Sequence, residues 1–193
     1  GLATSQEWRE GPLYTQNSPL KCGKGSMYEG GVRVPFMVKW NGVVKPDTRN
    51  NTSIMIEDLF PTLLHMAQVN DYKVPQIVDG KDMVPLLEGK NEAEFNKRSI
   101  IWNFPNIWGN TGPGINLNCA IRQGDWKLIY NYETGEKELY NIPQDIGENN
   151  NLAHANPSKV KELSSILGKK LRQMNAQRPV VTATSKPCAW PDE

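Results

Sequence analysis

The sequence predicts an α+β fold, and three observations carry that expectation. Four short apolar runs follow one another between residues 99 and 142, each bounded by turn residues. One amphipathic helical stripe, Val160 to Met174, comes directly after them. A second helical stripe, Ile56 to Ala67, stands apart in the first half of the chain. Consecutive strands followed by a helix favour a sheet covered by that helix over alternating β and α units. The length of 193 residues allows one large domain or two small ones with a genuine core. A net charge of +1, with no basic stripe interleaved with aromatics, gives no support for a nucleic-acid partner. No apolar run approaches the length of a membrane span, so no membrane partner is expected.

Taken in order, residues 1–20 read as a loop, punctuated by Gly11-Pro12 and Asn17-Ser18-Pro19. Trp8 and Tyr14 there cover the edge of a core or line a cleft. Residue 1 is glycine, and no charged segment with an apolar run behind it is visible, so the chain is expected to be processed or cut. Val34 to Trp40 reads as a buried strand, with Pro35 at its start or on an edge. Ile56, Leu59, Phe60, Leu63, Leu64 and Ala67 form a helical stripe, and Pro61 fits it only in the first turn. His65 on that helix reads as a partly exposed structural histidine, because no second ligand lies at helical spacing. Asp79-Gly80 is a turn signal, Met83 to Leu87 a short apolar run, and Gly89 a helix stop. The polar segment 88–98 is taken as a boundary, giving units of residues 1–95 and 96–193.

The second unit is read as strands at Ser99–Trp102, Cys119–Arg122, Trp126–Tyr132 and Lys137–Ile142. Gln123-Gly124-Asp125 and Glu133-Thr134-Gly135-Glu136 connect the last three as hairpins. Trp126, Leu128, Tyr130 and Tyr132 alternate onto one face, as a half-buried antiparallel strand requires. Asn103 to Asn118 is a long Asn-, Gly- and Pro-rich loop. The final helix takes Asn156 as N-cap and Pro157 as first residue, with Lys169, Lys170 and Arg172 near its negative end. The tail after Arg178 has no period and is expected to be extended or disordered. Cys22, Cys119 and Cys188 allow one disulfide or three free thiols, and no zinc-like cluster is present.

The stretch Lys21 to Pro35 carries the chemistry. Gly23, Gly25, Gly30 and Gly31 free the backbone to approach a ligand, and Lys21, Lys24 and Arg33 surround them. A cationic, glycine-rich loop suits an oxyanion such as phosphate or sulfate. C-G-K-G-S-M-Y-E-G-G-V-R-V-P-F, followed by W-N-G-V-V-K-P, resembles a segment of the sulfatase family. D-L-F-P-T-L-L-H-M-A, V-D-G-K-D-M-V-P-L-L-E-G, I-R-Q-G-D-W-K-L-I and E-L-Y-N-I follow in the family's order, so the resemblance covers nearly the whole chain.

The resemblance implies an alkaline-phosphatase-like fold. Residues 1–95 would close an α/β catalytic domain, and 96–193 would form a small antiparallel sheet with its helix. It implies hydrolysis of sulfate esters, with a formylglycine nucleophile made within C/S-x-P-x-R and a calcium ion held by Asp and Asn residues. Neither is provided here. No C/S-x-P-x-R occurs, and Gly1-Leu2 resembles the residues that follow the family's last Asp-Asn calcium ligands. The chain therefore reads as the C-terminal part of a sulfatase, without metal or catalytic residues of its own and inactive alone. Its partners would be the N-terminal half of the same protein and a sulfated small molecule or glycan. The compartment implied is periplasmic or secreted. An exposed apolar surface on residues 1–95 would favour self-association.

Lys24 matches the family lysine that contacts the sulfate group. Lys21 matches no such position and reads as solvated, while Glu29 and Arg33 read as braces of the loop. Trp102 to Trp108 lies where many sulfatases read W-H-F-P-H, with histidines facing substrate. Asn103 and Asn106 replace both histidines, and Trp108 offers a stacking face to a sugar. Arg122 reads as a cross-strand ion pair or a contact to polyanionic glycan. The other readings are a carbohydrate- or oxyanion-binding module without catalysis, and a phosphoesterase of the same superfamily.

Overall fold

The computed structural model describes residues 17–69, 71–90, 93–106 and 114–193. In chain order its elements are helix α1 (Glu29–Val32), a 3-10 turn (Ile56–Asp58), α2 (Leu59–Met66), α3 (Val84–Leu87), α4 (Ala93–Lys97), strands β1 (Ser99–Phe104), β2 (Asn118–Gln123), β3 (Trp126–Asn131) and β4 (Lys137–Asn141), helix α5 (Pro157–Gln173), and a ribbon of β5 (Val180–Val181) with β6 (Lys186–Pro187). They form two compact units. One joins residues 17–34 to Ser99–Glu193, and the other is Pro35–Arg98. The sequence reading puts all of 1–95 in one unit, yet the glycine-rich loop belongs with the sheet. Trp8 and Tyr14 lie outside the described residues.

In the first unit β1 to β4 make an antiparallel meander in sequence order. The register aligns Ile121 with Leu128 and Leu128 with Leu139. These residues, with Cys119, Tyr130 and Tyr132, face Leu163, Leu167 and Leu171 of α5. Each buried leucine contributes about 1.5–3 kcal/mol before ordering costs are counted. The alternation of Trp126, Leu128, Tyr130 and Tyr132 onto this face is as expected. The second face is buried too, against the half-buried expectation. Ala120, Ile129, Tyr140 and Ile142 pack there with Met27 and Tyr28 of the loop. An irregular segment covers that face, so no period announces it.

Pro157 opens α5, and basic Lys170 and Arg172 sit in its last turn. Asn156 stands at the N-cap, but its Nδ2 donates to the Leu152 carbonyl at 3.1 Å instead of capping through its oxygen. The tail is partly extended, the first of the two expected states, and it is tied down. β5 pairs with β6, Arg172 binds Asp192 at 2.8 Å and Glu193 at 3.1 Å, and Arg178 lies 4.2 Å over the Trp190 ring. Ion pairs and a cation–π contact tie it down, and neither leaves a hydrophobic period.

The second unit is organised by Asp58, whose side chain is fully buried. Its carboxylate takes N–H bonds from Met55 and Lys81, both at 2.8 Å, and a two-pronged pair from Arg98 at 2.7 Å. Burial alone would raise this carboxyl, but the Arg98 and backbone hydrogen bonds outweigh it and hold it below its usual range. Pro61 does fall in the first turn of α2. Much of that stripe is turned outward, however: Ile56 in the 3-10 turn is 78% and Leu63 57% exposed, while Leu59 packs on Met83, Leu86 and Phe95. Among the described residues Val34 to Trp40 pairs with no strand, and Met37 is 91% exposed. A strand needs a neighbour for its N–H and C=O groups, and the described residues of this unit form no strand. Gly89, at φ +81°, ends α3 as predicted, with the Lys90 N–H on the Pro85 carbonyl and the Gly89 N–H on Leu86.

Candidate active-site loop

The loop from Lys21 to Val32 folds back on itself. The Gly30 N–H donates to the Lys21 carbonyl at 3.0 Å, and the Ser26 N–H and Oγ both donate to the Gly23 carbonyl. A Cβ on Gly30 would collide with the carbonyl oxygens of Lys21 and Cys22, and one on Gly31 with that of Ser26. Close backbone approach, not positive φ, requires these two glycines.

A buried ion cluster fixes the loop to the sheet. Glu29 Oε1 lies 3.0 Å from Lys127 Nζ, and Glu29 Oε2 lies 3.3 Å from Arg122 Nη1 and 3.4 Å from Arg33 Nη1. Lys127 Nζ also lies 2.9 Å from Glu148 Oε1, while Glu148 Oε2 accepts the Glu29 N–H at 2.6 Å. Lys127, Glu29 and Glu148 are all at least 97% buried as side chains. Burial pushes Glu29 up, but the Lys127 charge and hydrogen bond, with Arg122 and Arg33, bring it below the usual range. Burial also pushes Glu148 up, and Lys127 with the Glu29 N–H does not offset it. The predicted bracing by Glu29 and Arg33 is present, and Arg122 makes an ion pair with Glu29.

Lys21 is not solvated, as the sequence reading has it. Its Nζ donates to the Glu148 carbonyl at 3.1 Å and lies 4.1 Å over the Tyr28 ring and 5.4 Å over that of Tyr140. Tyr28 and Tyr140 both donate their hydroxyls to Glu138. Burial and that carboxylate push both phenols well above their ordinary range. Lys24 is different. It is exposed, and no side chain or carbonyl of the described residues takes its charge.

Asn103 spends both ends of its amide on the fold. Its Oδ1 accepts from Tyr132 at 2.8 Å, and its Nδ2 donates to the Gln177 carbonyl at 2.9 Å. Asn106 is exposed, and Trp108 lies outside the described residues. His65 pairs with Asp82 at 2.6 Å on the surface of the other unit. A groove of about 620 Å³ in that unit, lined by Phe36, Met37, Arg49 and Leu86 among others, holds none of the predicted site residues. Cys22, Cys119 and Cys188 are free thiols, and burial pushes Cys119 up to about 12. Among the described residues no group of three or more His, Cys, Asp or Glu side chains is placed to hold a metal.

Sequence reasoning missed Lys127 and Glu148. Lys127 shows itself only as a charge between Trp126 and Leu128 on a strand whose opposite face looked solvated. Glu148 sits in a polar run with no pattern at all.

The family described as N-sulphoglucosamine sulphohydrolase, C-terminal, matches residues 22–177. A sulfatase of Formosa agariphila is 36% identical over 167 residues, 82% of this chain and 30% of that protein. An N-acetylgalactosamine-6-O-sulfatase of Bacteroides thetaiotaomicron is 30% identical over 170 residues, 80% of this chain and 30% of its own length. The solved structure of Ps i-CgsB superposes with a TM-score of 0.65 at 27% identity, covering 80% of this chain and 32% of that one. The same protein has been solved in complex with k-i-k-neocarrahexaose, and there the TM-score is 0.63. The chain spans about 30% of the length of the curated relatives it matches. With an α+β unit, an ordered glycine-rich loop and a family match over residues 22–177, the chain belongs to the sulfatase family, as the C-terminal portion of its alkaline-phosphatase-like fold.

Proposed function

We propose that this chain is the C-terminal part of an exported enzyme that hydrolyses sulfate esters of a sulfated carbohydrate, and that Lys24 contacts the sulfate group. The observation that carries this reading is the contrast along one loop. Lys21 and Glu29 spend their charges inside the fold and the exposed Arg33 spends its on Glu29, while Lys24 is paired with none of the described residues and presents its charge to solvent from a backbone pinned on both sides. An ammonium held there offsets charge on the sulfate oxygens and on the departing oxygen. The nucleophile and the calcium ligands of this reading come from outside the chain, so the chain alone hydrolyses nothing. The sugar-facing role falls to Asn106 and Trp108, with Asn103 keeping one N–H and one lone pair for a hydroxyl. Support for a glycan substrate comes from the named relatives: one acts on an N-acetylgalactosamine-6-O-sulfate and another structure holds a neocarrahexaose.

The test uses the full-length protein that carries this chain. Sulfate release is measured from a panel of sulfated oligosaccharides and from 4-nitrophenyl sulfate, for wild type and Asn106→Ala. Contacts remote from the reacting atoms select substrate more than they run the chemistry. The variant should therefore lose kcat/KM on its preferred oligosaccharide and keep its rate on the aryl sulfate. Equal losses on both substrates would refute the assignment, and no sulfate release from any substrate would refute the enzyme reading.

A further inference from the structure

Glu148 touches both stems of the loop that carries Lys24. Its carbonyl accepts from Lys21 Nζ at 3.1 Å, on the entering stem. Its carboxylate accepts the Glu29 N–H at 2.6 Å, at the start of α1 on the leaving stem. The same carboxylate is paired with Lys127 at 2.9 Å, and Lys127 is paired with the Glu29 carboxylate at 3.0 Å. Glu148 itself adopts φ +50°, in the left-handed region that residues with a side chain seldom occupy, in a turn closed by its N–H on the Asp145 carbonyl at 3.0 Å. Such strain persists where the surroundings over-determine it, and it gathers at functional sites.

The chemistry of the cluster argues the same way. A charge buried as completely as that of Lys127 is costly unless it is paired, and two carboxylates meet it. Well-packed apolar side chains generally stabilise a fold as well as a buried ion pair does, so stability alone is weak grounds for this one. What the pair adds is direction. Three charged groups from β3, from α1 and from the loop after β4 meet in one geometry, with Arg122 of β2 on the second oxygen of Glu29. Residues 22–28 lie between the two clamped stems, with Met27 and Tyr28 packed on the sheet and Lys24 the exposed charge among them.

We propose that Glu148, acting with Lys127, is a positioning residue that fixes where the ammonium of Lys24 is presented. This rests on the reading of Lys24 as the sulfate contact. Glu148 touches no substrate. It acts through the loop, and its effect requires Lys24 to be present.

A double-mutant cycle on the full-length protein tests this, with 4-nitrophenyl sulfate as probe and with kcat and KM measured separately. Lys24→Ala should lower kcat/KM on the order of 10²–10³-fold. Glu148→Ala should lower kcat on the order of 10²-fold, the scale of a misplaced reacting group, with little change in KM. Glu148→Ala with Lys24→Ala should be no slower than Lys24→Ala alone. Glu148→Gln keeps an acceptor for the Glu29 N–H and should recover part of the rate. It also carries the cycle if Glu148→Ala does not fold. If the two losses multiply, or if Glu148→Ala turns over like wild type, Glu148 does not act through Lys24 and the proposal is overturned. If Lys24→Ala alone is near wild type, the sulfate assignment itself is wrong, and that arm reports it independently of the cycle.

Discussion

Gly30 has no room for a side chain. A methyl group there meets the carbonyl oxygens of Lys21 and Cys22, which are backbone atoms and cannot swing away. Gly30→Ala must therefore part the two stems that the Gly30 N–H now joins to Lys21. The expected cost is about 1–3 kcal/mol, the range for forcing a methyl into packed space. Urea denaturation of the variant measures it, and an unchanged midpoint would show that the loop is looser than described. Lys21 and Lys24 make the residue scale instructive in another way. They lie three positions apart with the same charge, and composition cannot separate them. Only the pattern C-G-K-G marks out Lys24, and only the rings of Tyr28 and Tyr140 show why Lys21 is withdrawn.

At the scale of elements, Asp58 is the group whose titration is easiest to follow. Its carboxyl is held below the usual range in the fold, so its contribution is complete above the unfolded value of about 3.9 and is lost as pH falls through the lower folded value. Removing one partner of a buried pair costs about 3–5 kcal/mol. Asp58→Asn should therefore weaken hydrogen-exchange protection of α2 and α3 strongly at pH 7, and the gap to wild type should narrow below about pH 4. A gap that does not depend on pH would mean that charge is not what Asp58 supplies. The strands and α5 were legible in the sequence because their periods of two and 3.6 record which face is buried. The Leu128 and Leu163 faces meet as those periods require. The cover over Ile129 and Tyr140 was not legible, since Met27 and Tyr28 belong to a loop with no period. Val34 to Trp40 misled for the opposite reason: its composition fits a strand, but pairing is a property of neighbours. Of the loop's chemistry, the bracing by Glu29 and Arg33 could be read from the sequence. Lys127 and Glu148 could not, because their partners are about 100 residues away.

For the whole molecule, the apolar surface of the second unit is the dominant fact. Val34 at the unit boundary is 73% exposed, and within the unit Met37, Ile56 and Ile77 are each more than three-quarters exposed. Soluble monomers seldom leave such surface contiguous and bare. The chain produced on its own should self-associate, seen as a rise in weight-average mass with concentration in sedimentation velocity, and should bind an apolar dye. A monomer at all concentrations, with no dye binding, would contradict this.

On the proposed reading, Lys24 is a cation aimed at sulfate rather than one more positive charge on a cationic loop. Steady-state hydrolysis of 4-nitrophenyl sulfate by Lys24→Ala and Lys21→Ala, both in the full-length protein and both checked by thermal melting, tests it most directly. Lys24→Ala should keep its melting temperature and lose on the order of 10²–10³ in kcat/KM. Lys21→Ala should melt earlier, because it gives up the Tyr28 ring and the Glu148 carbonyl, and should lose far less activity. Equal losses in the two variants, or a Lys24→Ala enzyme close to wild type, would contradict the claim.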